Sequence, residues 1–253
     1  MNIVDLGAPF AAGNTAEVYL FKNKVVKIFK EYLPDSEAVN EAQKQKYAHY
    51  CGLFVPKVLE VTKVDGRQAL IMEYVQGETV GHLISQHPEQ VEYYMNLSID
   101  LQQNIHEHEA HSMESMQEKL SRQIKEAPRL EFRLKKELLG QLNAMTCEKK
   151  LCHGDFHFFN LIQSGNEAAV IDWVDASAGD IRADIYRTYL LYSQVSIKWA
   201  EMYIDLYCKK TDLSKDEIFR WAPIIAAARL SESVSAEEGS RLVELVNHYY
   251  DRL

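Results

Sequence analysis

Apolar positions fall into short strand-like runs at the start of the chain, into helical spacing over most of the rest, and into one further pair of short runs around residues 160–171. A small-residue loop, Gly7-Ala-Pro-Phe-Ala-Ala-Gly13, leads through Asn14 and Thr15 into a β-rich segment ending at Phe21. Asn23 and Lys24 supply a turn, and Lys24-Val-Val-Lys-Ile-Phe29 returns as a strand that projects Lys27 to one face. The spacing predicts a helix over residues 37–50, with Asp35 or Ser36 as its N-cap. Strands follow over 57–64 and 67–75, joined by a turn at Asp65-Gly66. From Thr79 the pattern stays helical to about Met145, broken at Pro88 and Pro128. Beyond Ile185 it is helical again, interrupted by Lys209-Lys-Thr-Asp-Leu-Ser214. There Ser214-Lys-Asp-Glu217 has the capping-box form, and Pro223 sits inside or at the entrance of the next helix. The pattern is that of an α+β chain: a small β-rich N-terminal lobe, residues 1–76, and a larger, mainly helical lobe, residues 77–253.

The later pair of short runs, 160–162 and 168–171, flanks Gln163-Ser-Gly-Asn-Glu167 and reads as a β-hairpin turning at Ser164-Gly165-Asn166. Its polar residues cluster at the ends. Asp155 and Asn160 precede the first strand and Asp172 ends the second, so the hairpin brings all three side chains toward one edge. Two acidic groups and an amide oxygen there can hold a hard divalent cation such as Mg²⁺ and leave one carboxylate as a base.

Composition excludes more than it assigns. At 253 residues with 47% hydrophobic content the chain can bury a sizeable core. Twenty-eight Lys and Arg against 37 Asp and Glu give a net charge of −9, which argues against a general nucleic-acid binder and is compatible with a cationic substrate. Cys51, Cys147, Cys152 and Cys208 are scattered without paired spacing, as expected of reduced thiols. No basic, apolar leader pattern opens the sequence and no apolar run reaches membrane-spanning length, so the expectation is a soluble, cytoplasmic protein without a membrane partner. The segment Ile105-His-Glu-His-Glu-Ala-His111 invites a metal reading, but His108 and His111 are three apart and His106 falls on another face, which leaves a histidine-rich helix end.

His153-Gly-Asp155, His157, Asn160 and Ile171-Asp-Trp173, with Gly179-Asp-Ile-Arg-Ala-Asp-Ile185 downstream, resemble the catalytic loop, metal-binding motif and closing motif of the aminoglycoside phosphotransferase and choline kinase-like family, whose core is shared with protein kinases. The resemblance implies a two-lobed kinase-like fold and transfer of the γ-phosphoryl group of ATP, or GTP, to a hydroxyl of a small molecule. It makes Asp155 the base or hydroxyl-orienting residue and Asn160 and Asp172 the Mg²⁺ ligands. His153 would brace the loop, His157 would support it or contact phosphate, and Asp180 and Asp184 would be structural acids. Gly13, Asn14 and Thr15 resemble the tip of the loop that covers the nucleotide phosphates, and Lys27 resembles the strand lysine that neutralises them. A carboxylate must hold that lysine; Glu41 is the first choice and Glu37 the alternative. Main-chain groups of roughly Glu73 to Val75 stand where an adenine or guanine would hydrogen-bond.

The resemblance also narrows the acceptor. The short span from Asp172 to Asp184 leaves no room for a protein kinase activation segment, and Asp172-Trp-Val replaces Asp-Phe-Gly. That favours a small hydroxylated acceptor: an aminoglycoside, another antibiotic, an amino alcohol or a sugar-like metabolite. Phe158-Phe159 depart from the family's small pair and either reshape the acceptor pocket or pack beneath the loop. Asp205, Glu232, Glu237 and Glu238 are surface charges or recognition groups for amines, and Tyr186, Tyr189, Tyr192 and Tyr203 are core or a substrate platform. Two other readings stay open, a small protein kinase and a nucleotide-binding pseudokinase interaction module. Retention of Lys27, Asp155, Asn160 and Asp172 argues against the second.

Overall fold

A computed structural model describes residues 2–13, 15–145, 148–232 and 234–250. In chain order its elements are α1 (Ile3–Leu6), β1 (Ala11–Ala12), β2 (Ala16–Phe21), β3 (Lys24–Phe29), α2 (Glu37–Tyr50), β4 (Val58–Val64), β5 (Arg67–Glu73), β6 (Glu78–Thr79), α3 (Val80–Gln86), α4 (Val91–Glu107), α5 (Met116–Glu126), α6 (Phe132–Ala144), β7 (Lys150–Cys152), β8 (Leu161–Ser164), β9 (Glu167–Val170), β10 (Ser177–Gly179), α7 (Ile181–Val195), α8 (Ile197–Lys210), α9 (Lys215–Phe219), α10 (Ala222–Arg229) and α11 (Ala236–Tyr250). They gather into two compact units. The first is the chain through Pro88 together with Phe158–Asp175; the second is Glu89–His157 with the chain from Ala176 onward.

The first unit is built on an antiparallel sheet in the order β1-β2-β3-β5-β4. Left-handed residues make its tight turns: Lys22 and Asn23 (φ 49° and 61°) join β2 to β3, and Asp65 and Gly66 (φ 49° and 83°) join β4 to β5. Alternation along β3 sends Val26 and Ile28 into one core layer with Leu6, Tyr19, Val64, Ala69 and Ile71. The opposite face packs Phe29, Leu70 and Met72 against Ala38 and Ala42 of α2. Small residues let α2 lie close to the sheet, and Gln45 ties it down by donating to the Pro56 carbonyl at 2.6 Å. Ser36 stands at the N-cap position of α2, with its hydroxyl accepting from the Asn40 side chain.

The strand expected to reach Val75 leaves the ladder after Glu73. Gly77 follows at φ 154°, where a Cβ would sit 2.0 Å from the Gln163 carbonyl oxygen. That close approach lets β6 pair with β8 in a second sheet, β6-β8-β9. By contact, therefore, β6, α3 and residues 158–175 group with the first unit. Thr79 caps α3 by accepting from the His82 amide.

In the second unit the expected helical stretch is divided into α4, α5 and α6. Residues 108–115 are irregular, with a turn closed by the Met113 amide on the Ala110 carbonyl at 2.9 Å between two bridges, Glu109 to Lys150 and Ser115 to Ala178; tertiary pairing overrides the local helical spacing. The break between α5 and α6 falls at Pro128, beside left-handed Arg129 (φ 67°). β7 and β10 form a short antiparallel pair. The core lies among α7, α8 and α10, where Tyr186, Tyr192 and Tyr203 are buried and ring contacts link Tyr186 to Phe219 and Tyr203 to Tyr207. Both capping-box bonds of Ser214 and Glu217 are present, and Pro223 lies in the first turn of α10. Among the described residues no helix is long and apolar enough to cross a membrane. Cys51, Cys152 and Cys208 are free thiols, while Cys147 lies outside the described residues.

Candidate active site

In the first unit the β8–β9 hairpin does what its sequence suggests. The Ile171 amide donates to the Asn160 carbonyl at 3.0 Å, so Asn160 and Asp172 share one end of the hairpin. Trp173 is fully buried and its indole N–H donates to the Val170 carbonyl at 3.1 Å, which anchors the chain just past Asp172. Asp172 itself is left-handed at φ 63°, an uncommon conformation for a residue other than glycine. Lys44 from α2 donates to the Val174 carbonyl at 2.6 Å and holds the following backbone.

Lys27 points from β3 to the α2 side, where its ammonium meets both Glu41 oxygens at 2.8 and 2.9 Å and Asp172 Oδ1 at 3.0 Å. Of the two candidate glutamates, Glu41 is the one that reaches it. Burial by itself pushes the Lys27 pKa down, but the charges of Glu41 and then Asp172 outweigh it and raise it above the usual lysine value. The ammonium is therefore firmly charged. Asp172 stays more open, with 38% of its side chain exposed.

The other first-unit candidates are less engaged. The Gly13 amide donates to the Ala16 carbonyl at 2.9 Å and closes the hairpin tip, and the Thr15 carbonyl accepts from the Lys30 amide at 2.8 Å. Asn14 lies outside the described residues. The Glu73 amide is taken by the Lys57 carbonyl at 3.0 Å, and Val75 lies in the segment beyond β5. Phe158 is buried, whereas Phe159 rests its ring where a Cβ on Gly81 would be, 2.7 Å away, and is 56% exposed.

In the second unit Asp155 follows a tightly held loop. Asp184, capped into α7 behind Asp180, accepts from the His153 amide at 3.3 Å, the Gly154 amide at 2.7 Å and Gln102 at 3.1 Å, and lies 2.9 Å from His106 Nε2. Burial pushes the Asp184 carboxyl up, but the hydrogen bond and charge of His106, with the donors of Gly154 and Gln102, bring it down to about 2. Buried His153 accepts the Asp155 amide on Nδ1 at 3.3 Å. His106, Cys152 and Asp184 come within 4.8 Å of one another, and His106 Nδ1 also lies 3.1 Å from the Tyr207 hydroxyl. With both its ring nitrogens so placed, His106 belongs to a buried hydrogen-bond network.

Asp155 Oδ2 lies 3.4 Å from His157 Nε2, and Oδ1 lies 3.9 Å from Arg187 Nη2. Burial raises its pKa, but the His157 hydrogen bond and charge, then Arg187 and His153, hold it well below the usual carboxylate range. Arg187 escaped the sequence reading, although it stands three residues after Asp184 and thus on the same helix face. The acids considered for amine recognition are mostly paired: Asp205 with Lys215, Glu232 with Arg187 and Arg229, Glu238 with Arg241. Glu237 lines a cavity of about 510 Å³ with Ser193, Gln194, Arg229 and Arg241.

A profile of the phosphotransferase enzyme family matches residues 7–219, and the chain belongs to that family. Solved structures share its architecture at low identity. Choline kinase LicA from Streptococcus pneumoniae aligns with a TM-score of 0.66 and 16% identity, over 96% of this chain and 93% of that one. An aminoglycoside-3'-phosphotransferase of type VIII aligns at 0.64 and 17%, over 89% and 91%. A thermostable mutant of aminoglycoside phosphotransferase APH(4)-Ia in ternary complex with ADP and hygromycin B aligns at 0.64 and 13%, over 96% and 88%. These likenesses show a kinase-like α+β fold, β-rich at its N-terminal end and helical in its C-terminal part. No curated protein matches the chain by sequence.

Proposed function

We propose that this phosphotransferase is a small-molecule kinase, which moves the γ-phosphoryl group of ATP, or GTP, to a hydroxyl of a small acceptor. The observation that carries the reading is the Lys27 ammonium held within 3.0 Å of both Glu41 and Asp172. A buried cation fixed by one carboxylate and leaning on a second, more open one suits neutralisation of phosphate oxygens. The tip at Gly13, Asn14 and Thr15 covers the phosphates in this reading, and main chain from Glu73 to Val75 meets the base. Residues 1–76 serve the nucleotide and residues 77–253 catalysis and acceptor binding.

Asn160 and Asp172 fit a hard divalent cation: an amide oxygen and a partly open carboxylate share one hairpin end. Mg²⁺ bound there would neutralise charge on the transferring phosphoryl group. Asp155 receives the acceptor hydroxyl. As that oxygen bonds to the γ-phosphorus, the bridging P–O bond breaks, the nucleoside diphosphate leaves, and the hydroxyl proton passes to Asp155. A carboxylate with so low a pKa is a weak base, so its first task is to orient the hydroxyl and its second to take the proton late. The pairing of ADP with hygromycin B in the third structure above supports a nucleotide and a hydroxylated acceptor here. In this reading the reaction runs in the cytoplasm.

The test is Mg²⁺-dependent consumption of ATP and GTP by the purified protein across aminoglycosides, other hydroxylated antibiotics and amino alcohols. One acceptor class should stimulate turnover, and Asp155→Ala should cut it by roughly 10²–10⁴-fold while sparing nucleotide binding. Equal turnover by that variant would sink the assignment of Asp155. Nucleotide binding with no stimulation by any acceptor would favour a binding module instead.

A further inference from the structure

We propose that Arg187 is the positioning residue for Asp155, with Glu232 as its anchor; the proposal rests on Asp155 being the group that orients the acceptor hydroxyl. Gly154, immediately before Asp155, is left-handed at φ 81° and has no side chain to fix its peptide. Two residues of α7 fix it from both sides. Asp184 takes the Gly154 N–H at 2.7 Å, and Arg187 Nε donates to the Gly154 carbonyl at 3.1 Å. They stand three apart on one helix face, so a single rigid element sets the backbone that carries Asp155.

The guanidinium does more than hold that carbonyl. It is planar, so fixing Nε also fixes where its Nη atoms lie. Nη2 donates to Glu232 Oε2 at 2.9 Å and faces Asp155 Oδ1 at 3.9 Å, beyond hydrogen-bond length. Glu232 Oε2 is held in turn by Arg229 Nη1 at 2.7 Å. The arginine side chain is 9% exposed, so this charge acts on Asp155 with little screening. Glu232 thus draws the fork aside. Arg187 aligns the Asp155 carboxylate electrostatically without closing on it as a bidentate pair, which would take up the oxygen needed by an acceptor hydroxyl.

The experiment compares the parent with Arg187→Met, Arg187→Lys and the double variant Arg187→Met/Glu232→Gln, using Mg-ATP hydrolysis with water as acceptor and hydrogen exchange of residues 153–157. Arg187→Met should lower kcat by roughly 10²-fold, with KM for Mg-ATP moving by less than about twofold. Arg187→Lys keeps the charge but not the fork, and should recover roughly tenfold of that loss. The double variant removes the Arg187 and Glu232 charges together, and Arg229 keeps Gln194 at 3.0 Å and Glu238 at 3.8 Å, so it should melt near the parent and still be slow. Parental kcat in the double variant would reduce Arg187 to charge balance and overturn the proposal. Exchange reads positioning without turnover: faster exchange confined to 153–157 in Arg187→Met supports it, and parental exchange there overturns it. A parent that neither binds nor hydrolyses Mg-ATP refutes the kinase reading, while exchange still decides the role of Arg187.

Discussion

Replacing Glu41 by leucine asks whether the Lys27 cluster is a stabilising element or a functional one maintained at a cost. The Lys27 and Glu41 side chains are 9% and 1% exposed, so the pair is effectively out of water. Removing one partner of such a pair costs about 3–5 kcal/mol, because the remaining charge is buried without compensation. Here Asp172 still accepts from Lys27 at 3.0 Å, although it is 38% exposed and itself well solvated. The loss for Glu41→Leu should therefore fall at the low end, about 3 kcal/mol. The double variant Lys27→Met/Glu41→Leu leaves Asp172 open to water and fills the site with apolar side chains, so it should lie within about 1 kcal/mol of the parent. Urea unfolding followed by tryptophan fluorescence, to which buried Trp173 of the same unit contributes alongside Trp199 and Trp221, measures all four corners of the cycle. The expected coupling is about 2 kcal/mol or more. Additive single losses, or a Glu41→Leu loss under about 1 kcal/mol, would refute the picture of a desolvated pair. The double variant should also stay inactive in phosphoryl transfer, which separates stability from function.

Three further outcomes follow from the geometry. Gly77→Ala places a Cβ 2.0 Å from the Gln163 carbonyl oxygen at a φ of 154°, so it should cost roughly 2–4 kcal/mol and lower Tm by several degrees; an unchanged Tm would count against the described approach of β6 to β8. Asp184 has its carboxyl depressed to about 2, so it contributes stability that is fully present above the ordinary carboxylate pKa near 4 and is lost as pH falls toward 2. The contribution is about 2 kcal/mol, and stability profiles of the parent and Asp184→Asn should diverge in slope within that window; parallel profiles would contradict it. Trp173→Phe removes the indole donor to Val170 and should cost about 1 kcal/mol, whereas Trp173→Ala should cost about 3–5 kcal/mol, both read by chemical denaturation; equal losses would mean that the ring does not fill the core.

Much of this arrangement was legible because local chemistry and tertiary structure agree. The span of α2, the turn at Asp65-Gly66, the β8–β9 hairpin and the Ser214 capping box all rest on short-range rules that the fold does not override. Residues 108–115 carry helical spacing and no proline or glycine to mark a break; the bridges from Glu109 to Lys150 and from Ser115 to Ala178 that interrupt the helix come from more than 40 residues away. The short strand β6 was hidden for the same reason, since its partner β8 is distant in sequence. At the site, the meeting of Lys27 and Glu41 follows from a strand and an adjacent helix, and Asn160 and Asp172 from one hairpin. Arg187 was missed because its partners Gly154 and Glu232 lie on opposite sides of it in the chain, and an arginine within a helix carries no local signal of either.

The discontinuity of the first unit has a consequence for biosynthesis. Its sheet and α2 are complete when Pro88 leaves the ribosome, yet β6 then lacks β8, the Phe54 carbonyl lacks the Val170 amide, and Lys27 lacks Asp172. At about 5–20 residues per second, the ribosome needs roughly 4–17 s to reach Asp175. For that interval the nascent chain carries an unfinished N-terminal unit tethered to the emerging helices of the second. The first part of the protein to be made thus cannot be closed when it emerges, and a fragment ending at Pro88 retains the lysine and its glutamate but none of the groups that the later segment brings to them.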